Sequence, residues 1–410
     1  MPPTEQIFVV LGVLLFTSVL ASKASSRFGV PALLLFLIVG MFAGDDGIGH
    51  IHFDDAVMAK LIGDLALTII LFSGGLDSEW QKIRPVLLPG LSLASIGVAI
   101  TVLFVGSFSW YILGSFSSFQ LGPKGISWGE AFLLGSIIAS TDAAAVFSVL
   151  RSSSFKLSEK LQGILELESG SNDPLAVLLT LNTLRVLTNA QFSPGELIKE
   201  LVIELVIGVL LGYGAGRGMA WLVNHIQLSA SGLYPVLTLG LIFFLSGITT
   251  FCHGSPILAV YLAGMVMGQQ TFVQRPIITS FHDGLTWLVQ IIMCLTFGLL
   301  AVPGELPESA AVATTIALFL IFVARPVSVF TALSFSQFAW REKIFIAWVG
   351  LRGAIPMILA TVPLTLNIPQ AKEIFNVVVF IVLISILLQG LTLIPMAKWL
   401  NLGDSPDPAG

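Results

Sequence analysis

Apolar runs of about 20 residues follow one another along most of the sequence, and each can cross the roughly 30 Å hydrocarbon core of a bilayer as a helix. Hydrophobic residues make up 55% of the 410 positions and charged residues 10%, whereas a soluble domain has about 25% charged residues. This pattern indicates an all-α integral membrane protein. The net charge of −5 argues against a nucleic-acid partner, which would require basic stripes.

We predict thirteen transmembrane helices. The first run is treated as a retained span, because the residues before it lack the basic segment of a signal peptide. The predicted spans cover residues 7–22, 28–43, 56–75, 86–114, 127–150, 158–184, 195–222, 232–250, 254–269, 283–301, 310–333, 342–364 and 373–399.

The distribution of Lys and Arg predicts the orientation, because these residues are enriched in cytoplasmic loops. With the N-terminus outside, most of the Lys and Arg residues fall on the inner side. The acidic connection between residues 44 and 55, which has no basic residue, then falls outside. We predict a multi-pass protein of the cell inner (plasma) membrane, with the N-terminus outside and the C-terminus in the cytoplasm.

The spacing of the spans suggests an internal duplication. Spans four to six end at residues 114, 150 and 184, and spans eleven to thirteen end at 333, 364 and 399, so the offsets are 219, 214 and 215. Two six-span units joined by one linking span would have opposite orientations in the membrane. This inverted repeat is typical of secondary transporters.

The most polar stretch within a predicted span covers residues 167–175, which read Leu-Glu-Ser-Gly-Ser-Asn-Asp-Pro-Leu. On a helix Glu168 and Asn172 share one face, and Ser169 and Asp173 are likewise four residues apart. Ionised groups at this depth normally face a partner or a water-filled cavity. We predict an ion or proton site centred on Asp173; the alternative is a structural polar cluster that holds helices together.

Two predicted spans contain the residue types that break helices. In span five, Thr141-Asp142 is a typical helix cap, so we expect a break with Asp142 at the positive end of the following half-helix. Span twelve has two glycines, Arg352 and a proline within residues 348–356. Asp142 and Arg352 are 210 residues apart, close to the offset of the repeat. Corresponding breaks in two halves point to a transport site; two unrelated kinks are the alternative.

Arg325 and Arg352 both lie within spans, and a buried arginine needs an acidic partner because it remains charged. Glu168 is the preferred partner of Arg325. Asp142 is the alternative partner for whichever arginine does not pair with Glu168. Asp173 then has no matched cation. Its carboxylate, with the Ser169 hydroxyl and the Thr141 backbone oxygen as further ligands, could bind a proton or a monovalent cation but not both. Competition at one such site predicts electroneutral, one-for-one exchange.

Four motifs are specific in combination: Ser140-Thr141-Asp142, the stretch 168–174, Arg325-Pro326 and the stretch 350–354. With these residues the chain resembles the NhaP-type monovalent cation/proton antiporters, and in particular their bacterial potassium/proton antiporter branch. The resemblance covers essentially the whole chain. It implies exchange of K⁺ or Na⁺ for H⁺ without a cofactor.

The resemblance also implies a homodimer whose thirteen-span subunits each have a core domain that slides against a dimerisation domain. The dimerisation domain would comprise residues 1–75 and, with the linking helix, 195–301. The core domain would comprise residues 86–184 and 310–399, and residues 400–410 would form a cytoplasmic tail.

Residue roles follow from the same resemblance. Asp173 would be the ion- and proton-binding carboxylate, and Asn172 would support it, as in the electroneutral members. Many relatives have a Glu where this chain has Ser73, so that carboxylate is missing here. The other implied site residues are Thr141, Asp142 and Ser169 at the crossing of the broken helices, and Glu168 with Arg325 as an ion pair.

Two other functions compete with antiport. An intramembrane aspartyl protease would use Asp142 and Asp173 as a catalytic dyad, and an ion channel would conduct without alternating access. The protease does not account for the repeat or the buried arginines, so we expect a transporter and not an enzyme. Carboxylate, hydroxyl and carbonyl oxygens suit both K⁺ and Na⁺, so the residues do not select the ion.

Overall fold

A computed structural model describes residues 4–28, 30–115, 125–151, 155, 157–188, 194–301, 303–304 and 306–403. The secondary-structure elements in these ranges are all helices. The only β pairing within the ranges consists of two isolated bridges, Gly44 with Ile51 and Leu157 with Gly403. The predicted all-α fold is therefore confirmed for the described residues. Residues 404–410 of the predicted tail lie outside them.

The α-helices are numbered in chain order. The first nine are α1 (Thr4–Phe28), α2 (Ala32–Ala43), α3 (Ala56–Asp77), α4 (Trp80–Ile83), α5 (Leu87–Ser92), α6 (Val98–Leu113), α7 (Trp128–Ile137), α8 (Ala143–Arg151) and α9 (Glu159–Thr188). The others are α10 (Pro194–His225), α11 (Leu233–Phe251), α12 (Pro256–Gly268), α13 (Arg275–Leu300), α14 (Leu306–Phe319), α15 (Arg325–Ala332), α16 (Trp340–Trp348), α17 (Ala354–Thr365) and α18 (Ala371–Trp399).

Six helical segments in the described ranges are long and apolar enough to cross a membrane, so length and composition do not confirm thirteen spans. Four further apolar helices are shorter than a full span. The breaks explain part of the shortfall, since α7, α8, α16 and α17 are halves of broken elements with only 9 to 12 residues each. Helices α9 and α10, with 30 and 32 residues, are longer than a span but are not among the six segments. The six long segments are Ala56–Asp77, Trp80–Leu113, Leu233–Phe251, Arg275–Leu300, Ser309–Ala332 and Ala371–Trp399.

The order of elements from α4 to α9 recurs from α14 to α18. Each stretch begins with helices joined by a π-helical turn, at Leu93–Gly97 and at Leu320–Ala324. A broken pair follows, α7 with α8 and α16 with α17, and then a long helix, α9 or α18. This recurrence supports the predicted duplication; the opposite membrane orientation of the two halves stays a prediction.

Close helix packing surrounds these elements. Helix α3 packs against α12 and α13, α12 packs against α10, and α13 packs against α2. Gly40 of α2 and Gly298 of α13 face each other at one crossing, where a Cβ on Gly298 would lie 2.7 Å from the Gly40 Cα. The backbones approach this closely only because neither residue has a side chain.

We therefore expect Gly298→Ala to destabilise the protein by about 1–3 kcal/mol, since the added methyl group collides with the backbone of α2. Gly284→Ala is the matched control, because Gly284 lies on the same helix with open space around its Cα. Alanine should there be neutral or stabilise by about 0.5–1 kcal/mol. Thermal unfolding in detergent measures both, and equal melting temperatures for the two variants would contradict the close crossing.

Candidate ion-binding site at the crossing of two broken helices

The first break separates α7 from α8. Helix α7 begins with a capping box formed by Ser127 and Glu130, and it ends at Ile137. Residues 138–142 are not helical, and Asp142 then caps α8 by accepting a hydrogen bond from the Ala145 amide at 2.9 Å. The Asp142 carboxylate thus lies at the positive end of α8, where an anion is stabilised. The break and the cap agree with the prediction from residue types.

The second break separates α16 from α17 and contains Gly350 and Gly353. A Cβ on Gly353 would overlap the Asp142 carboxylate, and a Cβ on Gly350 would lie 2.6 Å from the Arg325 Nε atom. Both glycines therefore leave space for a charged side chain from another element. This close approach is the physical reason for glycine at these two positions.

The two breaks contact each other through backbone groups. The Asp142 amide donates to the Leu351 carbonyl at 2.8 Å. Arg352 is buried, and its Nη1 donates to the carbonyl oxygens of Ala139 at 2.7 Å and Ser140 at 2.6 Å. The crossing thus joins two stretches that are more than 200 residues apart in the sequence.

Arg352 does not pair with Asp142, which was the alternative proposed for the second arginine; no such ion pair occurs among the described residues. The reason is the break itself. Because α7 ends at Ile137, the carbonyl groups of Ala139 and Ser140 are not used by a continuing helix, and they accept hydrogen bonds from the guanidinium. Asp142 instead binds the amides at the start of α8.

Glu168 and Arg325 form a buried ion pair, with 2.5 Å between Oε1 and Nη1 and side chains 2% and 5% exposed. Arg325 Nη2 also donates to the Ile346 carbonyl at 3.3 Å. Arg325 directly follows the π-helical turn. Pro326 lacks an amide hydrogen and its ring would collide with a carbonyl in that turn, so the wider turn accommodates it.

Side chains of α9 bind the connection between α7 and α8. The Ser169 hydroxyl donates to the Thr141 carbonyl at 2.8 Å and accepts from the Ala143 amide at 3.1 Å. Asn172 donates through Nδ2 to the Thr141 hydroxyl at 2.6 Å, and its Oδ1 accepts from the Thr141 amide at 3.4 Å. Asn172 and Ser169 thus hold Thr141 in place against α9.

Asp173 is 4% exposed, and its Oδ1 accepts a hydrogen bond from the Ser140 hydroxyl at 2.5 Å. No Lys, Arg or His of the described chain lies within ion-pair distance of it. Asp173 also lines a cavity of about 890 Å³ together with Asp142 and Ser169. The carboxylate is therefore shielded from bulk water, free of a cationic partner and still reachable through the cavity.

The structure brings all eight predicted site residues to one crossing, but it adds residues that the sequence prediction missed. Ser140, which binds Asp173, belongs to one of the four motifs, but the sequence alone assigns it no role. Ser385 accepts from the Arg352 amide at 2.9 Å and donates to Gln389 at 2.6 Å. Two polar residues four apart in the apolar α18 were a signal that could have identified this support.

The donor atoms at the crossing are oxygens. Those that could hold a cation belong to the Asp173 carboxylate, the Ser169 hydroxyl and the Thr141 backbone. No group of three His, Cys, Asp or Glu residues suited to a metal ion occurs in the part of the chain that the structure describes. One carboxylate with neutral oxygens fits a monovalent cation, because a single negative charge balances a single positive one.

Known proteins are similar to this chain over most of its length. The family described as sodium/hydrogen exchanger, transmembrane, matches residues 11–399. The chain is 40% identical over 394 residues to the K(+)/H(+) antiporter NhaP of Alkalimonas amylolytica, and the aligned region covers 96% of this chain and 67% of that protein. It is also 40% identical over 406 residues to the K(+)/H(+) antiporter NhaP2 of Shewanella baltica, and the aligned region covers 98% of this chain and 68% of that protein.

The fold also resembles a solved structure. The sodium proton antiporter MjNhaP1 from Methanocaldococcus jannaschii aligns with a TM-score of 0.80 over 94% of this chain and 99% of that chain. The two sequences are 22% identical, so this likeness concerns the arrangement of helices alone.

The buried ion pair gives a stability prediction. We expect Arg325→Gln and Glu168→Gln each to destabilise the protein by about 3–5 kcal/mol, because each leaves a buried charge without its partner. The double variant should be destabilised by less than the sum of the two. Arg185 and Glu200 form the control pair: they are 2.6 Å apart but 42% and 40% exposed, so Arg185→Gln should cost at most about 1 kcal/mol. Detergent melting measures these effects, and unchanged melting of Arg325→Gln would contradict the role of the buried pair.

Proposed function

Because the chain belongs to the sodium/hydrogen exchanger family, we propose that it exchanges K⁺ or Na⁺ for H⁺ by alternating access, with both ions competing for Asp173. The members of this family are transporters, so this chain is a membrane cation/proton antiporter and not an enzyme. The proposal adds the site, the competition and the stoichiometry to that family assignment.

The observation that carries the proposal is the isolation of the Asp173 carboxylate. Glu168 is neutralised by Arg325, and Arg352 is bound by carbonyl oxygens. Among the residues that the structure describes, the Ser140 hydroxyl is the one hydrogen-bond donor to Asp173. A buried carboxylate without a cation is stabilised by binding a proton or a metal ion. Asp173 is therefore the residue at this crossing that can exchange one ion for the other.

Competition at one carboxylate determines the stoichiometry. The site holds either one proton or one monovalent cation, so a full cycle moves one of each in opposite directions. Glu168 keeps its counter-ion throughout, and Asn172 is an amide that does not titrate, so neither adds a second charge. Exchange should then transfer no net charge across the membrane.

The cavity suggests which side of the membrane reaches the site. Its lining includes Asp77 at the end of α3, Gln162 near the start of α9, Asp283 near the start of α13 and Ala32 at the start of α2. In the orientation predicted from Lys and Arg, all four positions lie toward the cytoplasm. We therefore propose that this conformation faces inward.

The named substrates of the relatives support K⁺ as one substrate. Both bacterial relatives at 40% identity are named K(+)/H(+) antiporters. The oxygen ligands at the crossing are also compatible with Na⁺, so we propose transport of K⁺ with Na⁺ as a second cation to be tested.

The proposed assembly is a homodimer in membrane lipid. Each subunit would cross the membrane thirteen times, counting α4–α6, α7 with α8, α14 with α15 and α16 with α17 as single crossings. The large exposed hydrophobic residues on α1 and α10 suit contact with lipid or with a second copy. The division into core and dimerisation domains, with the residue ranges given above, remains part of this proposal.

No observation favours the aspartyl protease. Asp142 caps α8 through the Ala145 amide and fills the space beside Gly353, whereas Asp173 is held by Ser140. A protease dyad requires two carboxylates that share one proton at a distance of about 3 Å. The separate partners of these two residues suit different roles.

The central test is Asp173→Asn, which removes the charge and keeps the shape of the side chain. We expect loss of cation-dependent H⁺ movement in proteoliposomes, with a melting temperature equal to or above that of the wild type because a buried unpaired charge is gone. Glu159→Gln is the control, since Glu159 is an exposed acidic residue on the same helix. Near-normal exchange by Asp173→Asn would remove Asp173 from the mechanism.

Competition and stoichiometry can be measured in the same vesicles. K⁺ and Na⁺ are added in turn to vesicles with an imposed pH gradient, and each cation that the protein transports should dissipate this gradient. The KM for the cation should rise as the pH on its own side falls, while the maximal rate at saturating cation stays constant, because protons occupy the same carboxylate. An imposed membrane potential should leave the rate unchanged; a rate that follows the potential would rule out one-for-one exchange.

A further inference from the structure

Glu166, Gly170 and Asp173 lie on one face of α9, at positions i, i+4 and i+7, and all three line the 890 Å³ cavity. Seven residues correspond to two helical turns, so the Glu166 and Asp173 backbones are about 10 Å apart along the helix. Glu166 is nearer the start of α9 than Asp173. A cation that follows this face of the helix toward Asp173 therefore passes Glu166 first.

Tyr261 of α12 places a hydroxyl group between these two carboxylates. Its side chain packs on Gly170, where a Cβ would lie 2.5 Å from the hydroxyl oxygen. Tyr261 is 4% exposed, and its hydroxyl makes no hydrogen bond that meets normal geometry among the described residues. Ser78, Glu166 and Asp173 are the polar groups around it. A buried hydroxyl without a partner costs about 1–3 kcal/mol, so a ligand that binds it would be favoured.

Glu166 also lacks a counter-ion. The basic residue nearest to it on the cavity wall, Lys82, pairs with Glu79 at 2.8 Å, and no ion pair of Glu166 occurs in the described ranges. Ser78, at the end of α3, lies against the Glu166 carboxyl group. The Glu166 carboxyl group, the Ser78 hydroxyl just after the end of α3 and the Tyr261 hydroxyl of α12 thus lie close together, and of the three residues Glu166 is the one that lines the cavity.

We propose that Glu166, Ser78 and Tyr261 form a second binding site for a partly dehydrated monovalent cation, which the cation occupies on its way to Asp173. We call these three residues the Glu166 subsite. Its single negative charge matches one cation, and its hydroxyl oxygens replace part of the hydration shell. The inference rests on the proposed function, because it places a step before binding at Asp173.

The subsite should act on capture of the cation and not on the exchange step. A carboxylate in a low-dielectric cavity raises the local concentration of cations and therefore their rate of binding. Asp173 still holds the transported ion when the conformation changes. Loss of the subsite should thus raise the KM for the cation and leave the maximal rate nearly constant.

The first experiment measures K⁺-driven dissipation of a pH gradient in proteoliposomes containing the full chain. Glu166→Gln should raise the KM for K⁺ about 5- to 10-fold with a maximal rate within about twofold of the wild type, and Tyr261→Phe should raise the KM about 2- to 3-fold. Glu159→Gln is the matched control, because it removes the same charge from the same helix at a position outside the cavity lining. An unchanged KM in Glu166→Gln, or an equal rise in Glu159→Gln, would overturn the subsite.

The second experiment measures binding of radioactive Rb⁺ to purified protein and separates the subsite from Asp173. Asp173→Asn should retain weak Rb⁺ binding, and the double variant with Glu166→Gln should lose it. Absence of binding in Asp173→Asn alone would overturn the subsite. Normal exchange by Asp173→Asn would instead overturn the proposed function, whatever the Rb⁺ result, so the two failures are distinguishable.

Discussion

The ion pair between Glu168 and Arg325 determines which of the two α9 carboxylates at the crossing, Glu168 or Asp173, is neutralised by an arginine. Both groups are almost completely shielded from water, and each would be costly to bury alone. Because Arg325 is occupied by Glu168 and by the Ile346 carbonyl, it does not neutralise Asp173. The pair therefore keeps one charge permanently balanced and leaves the second carboxylate able to bind an ion reversibly.

The two helix breaks explain how a second arginine is buried at the same place without neutralising Asp173. A continuous helix uses its own carbonyl groups, but the end of α7 leaves the Ala139 and Ser140 carbonyls available, and they bind Arg352. The glycines at 350 and 353 provide room for Arg325 and Asp142. Backbone dipoles thus replace acidic side chains as the partners of a cation, so Arg352 binds carbonyl oxygens and not Asp173.

Much of the fold and of the site was predictable, because the relevant signals are local in the chain. Hydropathy placed the long helices, and the cap residue Asp142 and the glycines of span twelve placed the breaks. The partner of Arg352 was predicted wrongly, since side-chain charge alone does not show that a broken helix exposes carbonyls. Thirteen spans are also not confirmed by length and composition: the half-helices and the short α2 and α12 are individually too short to cross a bilayer, and the long helices α9 and α10 are not among the six segments.

By itself, the sequence determined the chemical class of the protein: apolar helices, two broken elements and a small set of charged groups that cannot be left in lipid. Tertiary structure alone decided how those charges are divided. Glu168 lies 157 positions from Arg325, and Ala139 lies 213 positions from Arg352. Periodicity and capping act over a few residues, whereas these pairings depend on which helices pack together. Packing therefore decides that an arginine neutralises Glu168 and not Asp173.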